Sequence, residues 1–250
     1  MGNYAILAFM GPQWSRPTRA NGARRQPASF QPLAVVLAVA AGAMDAACFT
    51  QLGQVFAGVM TGNLTLIGLA AATRSASLAS HVAVALLGYV TGTAFGAFVA
   101  RLARDARRLT PVVAVLLVEL AALAGFTVGW ILTGGLPVGA AQFGLLAAAT
   151  LAMGLQAAAV GSTGTKLSTT YLTGTLTTVI SGLVTGARSG AHTRWSVAVL
   201  AVHAAGAAAA AVLILVAPVG LPALPDIALL GVLTVLLTRA ATREDREPSG

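Results

Sequence analysis

Apolar runs long enough to cross a bilayer recur along the whole chain. Eight such segments can be marked, at approximately 33–50, 54–72, 81–100, 111–133, 140–160, 167–187, 195–217 and 225–238. About 20 apolar residues match a hydrocarbon core roughly 30 Å thick. Only 9% of residues are charged and the mean hydropathy is +0.84. A soluble domain carries about a quarter charged residues, so this chain cannot clothe a water-facing core. Spanning segments must satisfy their own backbone, which predicts an all-α polytopic membrane helical bundle. The reading is one transmembrane domain over 31–238, between an unstructured cytoplasmic tail at 1–30 and a second cytoplasmic tail at 239–250. Breakers separate the segments: Pro111, Gly134-Gly135 with Pro137, Gly161 with Gly164, and Pro218, Pro222 and Pro225.

The formal net charge is +8. The basic residues sit in short clusters between apolar runs, which is how topology signals are written rather than nucleic-acid surfaces. If every segment crossed, Arg101, Arg104, Arg107 and Arg108 would face outward. If segments 1 and 2 make one net crossing and segments 5 and 6 another, thirteen of the fifteen basic residues fall inside. Arg74 then lies outside, and Lys166 lies at or near membrane depth, where it attracts an anion or reaches along its own stem to the interface. The positive-inside rule favours this arrangement of six net crossings, with both termini cytoplasmic. Arg24-Arg25 precede the first run, but Asp45 inside that run argues against a twin-arginine signal. Cys48 is the only cysteine, so an intrachain disulfide and a thiol metal site are excluded and the residue reads as packing.

The two halves, about 31–133 and 140–238, match each other. At an offset of 112 residues Thr61-Gly62-Asn63-Leu64-Thr65 falls on Thr173-Gly174-Thr175-Leu176-Thr177, and Gly42, Ala46 and Ala47 fall on Gly154, Ala158 and Ala159. At 114 residues Tyr89 falls on His203 and Gly92 on Gly206. Three crossings per half give the halves opposite orientation, so the expectation is two inverted repeats with broken or re-entrant Thr-Gly elements.

These same stretches resemble a bacterial membrane family known as YoaK-like. The residues that carry the resemblance are Asp45-Ala46, Met60-Thr61-Gly62-Asn63, Gly154-Leu155-Gln156 and Thr170-Tyr171-Leu172-Thr173-Gly174-Thr175-Leu176. It covers roughly residues 30–240. Ala157 stands where the family pattern has Asn. The resemblance implies about six helices in a bacterial inner membrane and supplies no function.

Asp45 lies within the first crossing, where an unpaired carboxylate is expensive. It reads as a proton or cation site, or as a structural acid bonded to a helix end. Thr61-Gly62-Asn63 reads as a helix break with freed backbone donors, and Thr173-Gly174-Thr175 as its counterpart. The expected substrate or ion site comprises Asp45, Thr61, Gly62, Asn63, Thr65, Gln156, Thr173, Gly174 and Thr175. Glu119, Tyr89 and His203 are candidate proton relays. Glu119 reads as a second buried acid or as one close enough to the cytoplasmic end to be solvated, and Arg108 is a further candidate partner for it. Gln142 and Gln156 also read as interhelical glue. Gly88, Gly92 and Gly96 share one helix face, suited to packing within the chain or to a homo-oligomer.

No nucleotide loop, zinc spacing or hydrolase elbow appears. The expectation is a transporter of a small solute or ion, not an enzyme, with no cofactor or metal and with membrane lipids and an unknown solute as partners. A passive channel of the same architecture is the near alternative. An intramembrane lipid-acting enzyme using Asp45, Glu119 and His203, or a non-catalytic scaffold, is the distant one.

Overall fold

The computed structural model describes residues 30–106, 109–163, 172–184 and 191–244. The described residues form helices and short connections with no strand. In chain order the helices are α1 (Gln31–Gln51), α2 (Met60–Thr73), α3 (Ala76–Ala106), α4 (Pro111–Leu132), α5 (Ala140–Ser162), α6 (Leu172–Val184), α7 (Ala191–Val216) and α8 (Ala223–Glu244). A single 3-10 turn, Pro218–Gly220, precedes α8. Pro32 and Pro111 stand in the first turns of α1 and α4, where a missing N–H removes no helical bond.

Six of these helices are long and apolar enough to cross a membrane: α1, α3, α4, α5, α7 and α8. The chain is a polytopic, integral membrane helical bundle. The 14 residues of α2 rise only about 21 Å, short of a bilayer core. The helix of segment 54–72 is thus too short to cross by itself. The Gly58 amide returns to Asp45, six residues before the end of α1, so the chain folds back along α1 before α2 begins. The 13 described residues of α6 are likewise too short to span.

The core sits around α1 and α5. Leu37, Met44, Leu52, Leu116, Phe126, Trp130, Met153 and Leu155 are all fully buried. Helix pairing rests on glycine set against carbonyl. A Cβ on Gly42 would run into the His203 carbonyl on α7, and one on Gly206 into the Val39 carbonyl on α1. On the other side a Cβ on Gly154 would strike the Tyr89 carbonyl of α3, and one on Gly92 the Leu151 carbonyl of α5. Close backbone approach of this kind is how helices associate in lipid, where hydrophobic burial offers no gain. The α1–α7 pair and the α5–α3 pair use corresponding residues. Gly42 and Val39 map onto Gly154 and Leu151 at the offset of 112, and His203 and Gly206 onto Tyr89 and Gly92 at 114.

The glycine face of α3 is taken up inside the chain. Gly88 lies against Thr150 and Ala147, Gly92 against Leu151, and Gly96 against Ala158 and Val115. Of the two uses expected for this face, packing within the chain is the one these contacts serve.

Candidate functional site

The re-entrant segment 52–59 turns at Gly53 (φ 95°) and Gln54 (φ 60°). Glycine adopts that left-handed geometry without strain, and Gln54 is held in it. The irregular backbone lies inside the bundle, so its polar groups need partners. Two side chains supply them. Asp45 Oδ1 accepts the Gly58 N–H at 2.7 Å. Asn63, fully buried, accepts the Phe56 N–H at 2.9 Å and donates to the Phe56 carbonyl at 2.8 Å. Its amide therefore pairs with Phe56 as a neighbouring strand would. Phe56 stacks on Phe49 with ring centroids 5.2 Å apart.

This geometry corrects the reading of Thr61-Gly62-Asn63 as the break. The break is at 52–59, and these three residues form the first turn of the helix that follows. Gly62 has ordinary helical backbone, and its missing side chain makes room for the Phe56 ring, 3.0 Å from where a Cβ would sit. Asn63 reaches back to the loop and caps nothing, since the N-cap Val59 has no side-chain cap bond.

The second oxygen of Asp45 faces α7. His203 Nε2 lies 3.6 Å from Asp45 Oδ2, longer than a hydrogen bond. Neither Asp45 Oδ2 nor His203 Nδ1 has a hydrogen-bond partner among the described residues. Gly42, one turn before Asp45, lets α7 come this close.

The starts of the two short helices meet. A cavity of about 330 Å³ is lined by Gly58, Val59, Met60 and Thr61 from one half, Leu172 and Thr173 from the other, and Tyr89 of α3. Thr61, Thr173 and Tyr89 are thus brought together, with Asp45 directly behind Gly58.

Other expected site residues lie apart from this cavity. Gln156 is buried and donates to the Leu37 carbonyl at 3.2 Å, tying α5 to α1. Thr65 is exposed and bonds its own helix at Thr61. Gly174 and Thr175 follow Thr173 in the first turn of α6 without lining the cavity. Glu119 is 0% exposed on α4, as a second buried acid and not a solvated one, and neither of its oxygens has a hydrogen-bond partner among the described residues. Arg108, Thr170, Tyr171 and Lys166 lie outside the described residues.

Two groups escaped the sequence reading. His81 Nδ1 lies 2.7 Å from the Ser77 carbonyl and Nε2 3.3 Å from Gln142 Oε1, while the ring covers Gly53. Gln142 in turn donates to the Gln51 carbonyl at 2.8 Å. Together they clamp the entrance to the re-entrant loop. Asp226 in the first turn of α8 accepts the Thr127 hydroxyl at 2.8 Å, joining α8 to α4. An acid just after Pro225 at a helix start was the available signal for it.

No curated protein and no solved structure matches the chain. The description "Protein of unknown function (DUF1275)" belongs to a family that matches residues 33–236, most of the chain and both halves of the bundle. The chain is a member of that family of uncharacterised proteins.

Proposed function

We propose that this protein moves a small solute or ion across the membrane through a site between two inverted three-crossing halves, α1–α4 and α5–α8. The observation that carries the proposal is the shared cavity. The first turns of α2 and α6, one from each half, line it together. Discontinuous helices meeting at membrane depth between repeats are a recurrent binding plan among transporters. The matching glycine contacts of α1 with α7 and α5 with α3 support the inverted repeat. The YoaK-like resemblance agrees with an uncharacterised membrane family and with a bacterial inner membrane as the location.

Asp45 and His203 serve as the coupling pair in this reading. One stands in each half, 3.6 Å apart. A proton held between them would favour one arrangement of α1 against α7, and its loss the other. Because Asp45 also holds Gly58, a change at the pair reaches the cavity wall through a single hydrogen bond. The arginine-rich ends, including the C-terminal end of α3 with Arg101 and Arg104, face the cytoplasm together with both termini.

Purified protein in proteoliposomes, tested against a panel of solutes with and without a pH gradient, decides the matter. Uptake that rises with an imposed gradient supports the transporter. Downhill flux indifferent to the gradient selects the channel. Turnover of a lipid without flux would reject both in favour of an enzyme.

A further inference from the structure

A second cavity, of about 490 Å³, lies between α2 and α3 and is unconnected with the proposed transport site. Its walls are Ile67, Ala70 and Ala71 of α2 and Ala76, Ala79 and Ala83 of α3. Only two residues of α2, Asn63 and Ala70, are buried, so this helix is at the perimeter of the bundle and the groove beside it faces lipid. Facing alanines leave the space unfilled by protein. An apolar void of this size forfeits dispersion contacts on every wall, and water gains nothing there because it needs several polar partners.

Arg74 and Ser75 stand at the mouth of the groove. Arg74 ends α2 in left-handed conformation (φ 51°), and its own N–H is bonded to the chain. Its side chain is exposed and makes no ion pair among the described residues. Arg101 and Arg104 stand near the opposite end of α3, whose 31 residues measure about 46 Å. Arg74 is therefore an isolated cation at one membrane surface, directly above an apolar slot.

We infer that this groove seats one acyl chain of an anionic phospholipid whose phosphate rests on the Arg74 guanidinium. The occupant is amphipathic because the site is. A guanidinium forks onto phosphate oxygens, and the alanine walls below admit a thin flexible chain.

The test is native mass spectrometry of delipidated protein in detergent, titrated separately with phosphatidylglycerol, diacylglycerol and inorganic phosphate. One phosphatidylglycerol is expected to stay on the wild type, and neither diacylglycerol nor inorganic phosphate. Arg74→Gln should weaken retention about fivefold, Arg74→Lys less. Ala83→Phe, which fills the slot, should abolish it, with Ala79→Phe as a second variant should Ala83→Phe fail to fold. Retention unchanged by Arg74→Gln would overturn the inference. So would diacylglycerol held as firmly as phosphatidylglycerol, which would make the groove a tail slot without headgroup recognition, or inorganic phosphate held alone.

Discussion

Asp45 performs two tasks with two oxygens. Oδ1 holds the Gly58 amide at 2.7 Å and Oδ2 faces His203. Asp45→Asn separates them. The amide oxygen can still accept from Gly58, while the charge is gone. The variant should insert and fold as wild type yet lose gradient-driven uptake in proteoliposomes; undiminished uptake would make Asp45 structural only. Asn63 gives the complementary case. It satisfies both backbone groups of Phe56 and is not itself among the residues that line the cavity. Asn63→Ala would leave the half-buried N–H and carbonyl of Phe56 unmatched, at a cost of about 1 kcal/mol each. Thermal unfolding in detergent should shift downward by several degrees, with a matching loss of protein recovered from membranes.

At the level of elements, glycines divide by what they face. Gly154 meets the Tyr89 carbonyl and Gly42 the His203 carbonyl, whereas Gly68 on α2 has open space where a Cβ would go. Gly154→Ala should therefore push α5 off α3 and destabilise the protein by about 2 kcal/mol or more, as overpacking does. Gly68→Ala should raise stability by up to about 1 kcal/mol through helix propensity alone. Melting of the two variants side by side checks the contrast; equal effects would mean the close contacts are not formed. These same elements mark how far the sequence could be read. Apolar runs marked eight segments and the placement of the arginines reduced them to six crossings, the number of long apolar helices among the described residues; the repeated Thr-Gly marked where the two halves of the sequence match. The position of the break did not emerge. Its turn uses Gly53 and Gln54, and a glutamine at φ 60° carries no local signature. Likewise the Asn63–Phe56 pairing and the His81–Gln142 clamp link residues 7 and 61 positions apart. Such contacts follow from how the helices assemble, and periodicity does not encode them.

The whole molecule is organised around one comparison between halves. The topology proposed for it places Arg104, in the last turn of α3, and Gly135, just after α4, on opposite sides of the membrane. Cysteines introduced at these positions should label from opposite sides, against a background in which the single native Cys48 is buried; labelling of both from one side would refute the topology. The central claim is that the short helices of the two halves build one site through which solute passes. Thr61 and Thr173 line the same cavity, so cysteines at these two positions should be joined by a short bifunctional maleimide within one chain. Uptake by the joined protein in proteoliposomes is the direct measurement. The expected result is efficient joining and abolished uptake, measured against the same double-cysteine protein before joining. Failure to join the pair, or joined protein that transports at the wild-type rate, would contradict the account.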